Sequence, residues 1–139
     1  MRAGTTLLGS LTIPGRAECL RAARRFVAQT LGSDCPCADV AVLLASELIG
    51  NAMQHSNSRR DGGTITTNLI AIPGGIRAEV IDAGSRTVPA MRTAQAGQPD
   101  LAENGRGLQL VDMLAARWDY SRDESGTITW FELSTPAAE

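Results

Sequence analysis

Glu47, Asn51 and His55 follow one another at four-residue intervals in the stretch ADVAVLLASELIGNAMQHS, residues 38–56. On a helix that spacing sets all three along one strip. Val40, Leu44, Leu48 and Ala52 repeat at the same interval as an apolar stripe, with Ala41, Ala45 and Ile49 beside it. In projection Glu47 and Asn51 fall between Leu43 on one side and Leu44 and Leu48 on the other, so a carboxylate and an amide border the face meant for the core. Burying either without a partner is costly. A ligand carrying a hard cation would satisfy both. An amide oxygen suits Mg2+, which keeps several waters and takes few protein ligands. A carboxylate one turn earlier can orient or deprotonate a nucleophile. The residues alone leave a plainer arrangement open: a helix whose polar side chains cap nearby loops, with Glu47 at the rim.

Two further stretches carry groups of the same kind. In IRAEVID, residues 76–82, Ile76, Ala78 and Val80 alternate with Arg77 and Glu79, and period two puts Asp82 on the apolar face. An aspartate ending a core-facing row needs a partner. Gly84, two residues on, lets another backbone or a ligand approach closely. Farther along, Gly105-Arg106-Gly107-Leu108 opens an amphipathic segment. Glycines ahead of a helix expose backbone N–H groups and the positive end of the helix dipole, an arrangement that receives phosphate. Alone that signal is weak, because glycines precede many helices.

The elements that must position these groups follow from periodicity. Residues 5–13 alternate weakly and stop at Pro14, a first strand suited to a sheet edge. Residues 15–31 read as a helix with Leu20, Ala23, Val27 and Leu31 on one face and Arg21, Arg24 and Arg25 mainly turned away. Residues 38–56 form the central helix. Residues 64–72 and 76–82 are strands joined at Pro73-Gly74-Gly75, hence a hairpin. Residues 85–104 lack apolar periodicity and are long for a plain connector; such segments are often lids. A helix over 108–116, a short strand from Trp118, a strand over 127–133 and a tail over 134–139 complete the chain. The order β α α β β, loop, α β β predicts an α+β fold: a single mixed, mainly antiparallel sheet with helices packed on one face.

Composition narrows the function. With 139 residues and 43% apolar content the chain suits one domain with one core. A formal net charge of −2 argues against nucleic-acid binding by bulk charge. Every basic residue is arginine, which removes Schiff-base chemistry and a P-loop lysine. No run reaches transmembrane length and no signal peptide is evident, so a cytoplasmic protein off the membrane is expected. The cysteines, Cys19, Cys35 and Cys37, are then free thiols. Cys35-Pro36-Cys37 is too closely spaced for a zinc site when the one histidine, His55, lies on the central helix.

In order, ELIGNAMQH (47–55), VIDAG (80–84) and GRGL (105–108), with Gly126-Thr127 before the last apolar strand, resemble the boxes of the GHKL ATPase superfamily, which includes gyrase and the histidine kinases. The resemblance spans essentially the whole chain, and the ordered set is more specific than any one box. SELIGNAMQHS and GRGLQLVDMLAARWDY look most like the bacterial anti-sigma-factor serine/threonine kinases and their actinobacterial relatives. The resemblance implies ATP and Mg2+ as cofactors. It assigns Asn51 to the metal, Glu47 to the base, and Asp82 to the adenine amino group with Thr127 assisting through water. Gly84 would leave room for the base. Gly105, Arg106, Gly107 and Leu108 would wrap the phosphates, with 85–104 as the lid. His55 matches the last polar position of its box, a structural place. Two departures stand out: no second glycine follows Gly84 closely, and the lid has no lysine, leaving Arg86, Arg92 or Arg106 to supply that charge.

The function so implied is a protein kinase that binds a sigma factor and phosphorylates an anti-anti-sigma protein, thereby regulating transcription. Homodimerisation is possible, and neither nucleic acid nor membrane is a direct partner. The alternative is a nucleotide-gated binding regulator with little or no phosphotransfer.

Overall fold

The computed structural model describes residues 4–55, 63–82, 106–123 and 126–135. The elements run β1 (Thr6–Pro14), α1 (Leu20–Leu31), α2 (Ala38–His55), β2 (Thr64–Ile72), β3 (Gly75–Asp82), α3 (Arg106–Leu114), β4 (Arg117–Asp123) and β5 (Gly126–Ser134). The five strands form one sheet in the order β1-β2-β3-β5-β4. Every pairing is antiparallel. β1 lies at an edge, as its terminal proline requires, since Pro14 has no N–H for an inner ladder.

Alternation divides the sheet into two faces. Ile65, Thr67 and Leu69 of β2, Ile76, Ala78 and Val80 of β3, and Thr127, Thr129, Phe131 and Leu133 of β5 are buried. α2 covers this face with Ala41, Leu44, Ala45, Leu48, Ile49 and Ala52, all buried, while α1 contributes Ala23 and Val27 and α3 contributes Leu108 and Val111. α2 packs on α1, α3, β2 and β3, so the helix that carries the polar strip is also the centre of the core. Arg21, Arg24 and Arg25 are exposed. Two glycines permit close approach. At Gly9 an added Cβ would stand 3.1 Å from the Phe26 ring of α1, and at Gly75 it would collide with the Leu133 carbonyl.

The other face of the sheet carries a polar chain across all five strands. The Ser10 hydroxyl donates to Asn68 Oδ1 (2.6 Å) and Asn68 Nδ2 to Glu79 Oε1 (3.4 Å). Arg77 Nε donates to Glu79 (3.0 Å) and Arg77 Nη1 to Glu132 (3.1 Å), and Arg117 Nη2 donates to Glu132 (2.7 Å). The Arg77 guanidinium lies 3.9 Å from the centroid of Trp130.

Several helix ends differ from the periodic pattern. The stretch expected to start α1 at Gly15 instead has Arg16 extended (φ −115°, ψ 142°), followed by a 3-10 turn over Ala17–Cys19. Gly15 N–H is drawn to the Gly63 carbonyl (3.2 Å), which ties the chain to the start of β2. α3 begins at Arg106 rather than Leu108. It ends at Leu114 rather than Ala116, because Ala116 N–H turns to the Glu132 carbonyl (2.8 Å) and so enters β4.

Candidate functional site

Glu47 and Asn51 are both half-buried, at the rim of α2's core face rather than within it. Leu44 marks the buried side of that rim, and Leu43, 39% exposed, the open side. Among the described residues, neither the Glu47 nor the Asn51 side chain has a hydrogen-bonding or ion-pair partner, and the two oxygen-bearing groups lie one helical turn apart. Gly50 lies on the same strip, and the described residues leave open space where its Cβ would be. Gln54, exposed, continues the strip; the spacing places it there, though no motif singled it out. His55 is the last residue of α2.

The sheet register contributes a pairing that the separate motifs do not express. Asp82, the last residue of β3, is directly opposite Thr127 of β5. Asp82 is half-buried and Thr127 is 3% exposed. Both belong to core-facing rows, so an acceptor carboxylate and a hydroxyl sit side by side at the end of the sheet, beneath the helix layer. Neighbouring strand residues lie about 5 Å apart in such a pair, within reach of one small planar ligand.

α3 supplies a third component. Arg106, Gly107 and Leu108 form its first turn, where backbone N–H groups lack partners within the helix. No acidic side chain occupies that turn. Leu108 is 2% exposed and anchors the helix start to the core.

Register and packing relate the elements that carry these groups. Thr66 pairs with Ile81, so β2 starts where β3 ends. α2 finishes at His55, ahead of β2, which begins at Thr64. α3 packs on α2 and ends at the opposite side of β5, beside Glu132. Gly84, Gly105 and the lid over 85–104, with Arg86 and Arg92, lie outside the described residues.

The donor set fits a divalent cation held mainly by a ligand. Asn51 and Glu47 offer hard oxygen atoms, and among the described residues no three His, Cys, Asp or Glu side chains come together as a protein-only metal site. A cation here would be shared with phosphate and water.

The histidine kinase-like ATPase domain family matches residues 13–133. The chain belongs to that family. Its ordered motifs, its α+β sandwich and the matched region agree on this point. No curated protein is similar enough in sequence to count as a match. Among solved structures, the RsbU and RsbW domains of Rv1364c from Mycobacterium tuberculosis share the fold, with a TM-score of 0.60 at 21% identity. The alignment covers 91% of this chain and 32% of that one, so this ATPase-family chain corresponds to about a third of the larger protein. Among the described residues, no helix is long and apolar enough to cross a membrane.

Proposed function

We propose that this chain binds Mg·ATP at the Asp82 end of the sheet and acts as a serine/threonine protein kinase of the anti-sigma-factor type. The observation that carries the reading is the direct pairing of Asp82 with Thr127 at the end of the sheet; the half-buried polar strip of α2 and the first turn of α3 would supply the remaining contacts. Asp82 accepts from the adenine amino group, and Thr127 assists through a water. Gly84 leaves room for the base. Gly105, Arg106, Gly107 and Leu108 receive the phosphates through backbone N–H groups, and residues 85–104 close over them. Asn51 would hold Mg2+, which when bound would supply charge neutralisation at the phosphates. Glu47 orients and deprotonates the attacking hydroxyl of a protein serine or threonine. The partners are a sigma factor and an anti-anti-sigma protein, and the outcome is control of transcription in the cytoplasm. The resemblance of SELIGNAMQHS and GRGLQLVDMLAARWDY supports those partners, and the shared fold of the RsbW-containing protein is consistent with them.

Glu47 and Asn51 should fail differently. Asn51→Ala should weaken Mg-dependent ATP binding and transfer together. Glu47→Ala should leave ATP affinity nearly intact and slow transfer by about two to four orders of magnitude, the span of a lost general base. The measurement is transfer of labelled γ-phosphate to a candidate anti-anti-sigma protein. If the wild type binds ATP and engages the partner yet transfers nothing, the chain is a nucleotide-gated binding regulator instead. Equal transfer by Glu47→Ala would remove Glu47 from the mechanism.

A further inference from the structure

Cys35 and Cys37 lie outside the candidate nucleotide site, and their sulfurs are 3.3 Å apart. Backbone hydrogen bonds fix the turn that holds them. Cys35 N–H donates to the Gly32 carbonyl (3.3 Å), Ala38 N–H to the Cys35 carbonyl (3.1 Å), and Ala41 N–H to the Cys37 carbonyl (2.9 Å) at the start of α2. Pro36 takes the second position of the four-residue turn from Cys35 to Ala38, where its ring presets the backbone. The two thiols are thus brought together before any bond joins them. They differ in access: Cys35 is half-buried, whereas Cys37 is 8% exposed and belongs to the core.

We propose that Cys35 and Cys37 form a dithiol site that closes reversibly to a disulfide by exchange with small-molecule disulfides. The more accessible Cys35, as thiolate, attacks one sulfur of the reagent RSSR, forming Cys35–S–SR and releasing RS−, which takes up the proton that Cys35 lost. Cys37 then loses its proton and attacks Cys35 Sγ, expelling the second RS−, which is protonated in turn. The sum is protein(SH)2 + RSSR → protein(S–S) + 2 RSH. The sulfurs need only move from 3.3 Å to bonding distance, about 2.05 Å, within one turn.

Burial, then the hydrogen bond and charge of Cys35, push the Cys37 thiol up to about 12. Cys37 therefore stays protonated while Cys35 is free.

The test uses the whole chain and glutathione disulfide. Wild-type protein should lose two hydrogens from its intact mass, and peptide mapping should show Cys35 linked to Cys37 with Cys19 free. A dithiol reductant should restore the starting mass. Cys37→Ser should trap glutathione on Cys35 as a stable mixed disulfide, and Cys35→Ser should yield no closed product. Circular dichroism establishes that each variant is folded, and the wild-type map decides the matter without them. Stable glutathione on wild-type Cys35, a link through Cys19, or thiols that react only after unfolding would each overturn the proposal.

Discussion

Aspartate and asparagine at position 82 differ in one respect that matters to an adenine amino group: both carboxylate oxygens accept, whereas an amide offers only one acceptor. Asp82→Asn should weaken ATP binding by about 1–3 kcal/mol, the scale of a lost hydrogen bond to a charged group. Calorimetry reads this directly, and unchanged affinity would remove Asp82 from the base contact. Glu132 poses a different question, on the sheet face away from the helices. Burial pushes its carboxyl up, but hydrogen bonds and charge from Arg117 and Arg77 outweigh that and hold it below the ordinary value. A depressed folded-state pKa adds stability that is present above the unfolded carboxylate pKa, about 4.3, and is lost as pH falls through the folded value. Denaturant midpoints should therefore fall on acidification below that range, and Glu132→Gln should flatten this dependence. At neutral pH the same change should cost about 1–3 kcal/mol, toward the lower end because the Arg117 side chain is 67% exposed. Asp82 is legible in sequence, since alternation alone puts it on the core face. Glu132 is not: alternation assigns it to the solvent face, and its burial comes from Arg77 and Arg117 on neighbouring strands.

α2 combines a core face with a half-buried polar strip at its rim, the strip proposed to meet the ligand. Truncating the core face should damage stability. Leu44 is fully buried between the sheet and the other helices, so Leu44→Ala should cost about 2–5 kcal/mol, measured by urea unfolding. A loss below 1 kcal/mol, about the transfer value of a single CH2, would contradict the packing described. At this scale β2 over Thr64–Ile72 follows its β-branched pattern to both ends. The start of α1 and the stop of α3 do not, because distant hydrogen bonds set them. Gly15 bonds to Gly63 and Ala116 to Glu132, and no local propensity encodes either contact. The rim position of Glu47 and Asn51 was likewise only partly legible. Helical projection borders them with Leu44, but the width of the buried face depends on how α1 and α3 flank α2.

For the molecule as a whole, the succession of strands and helices was readable from period two and period 3.6, which is enough for the α+β class. The strand order was not, since β5 inserts between β3 and β4 through pairings distant in sequence. That insertion puts Thr127 beside Asp82, the pair on which the proposed function rests. If this end of the sheet binds nucleotide, a calorimetric titration of the purified chain with ATP, with and without Mg2+, reads it most directly. One saturable site per chain is expected, tightened by Mg2+ in the wild type and not in Asn51→Ala. No saturable binding by the folded wild-type protein, or the same Mg2+ dependence in Asn51→Ala, would contradict it.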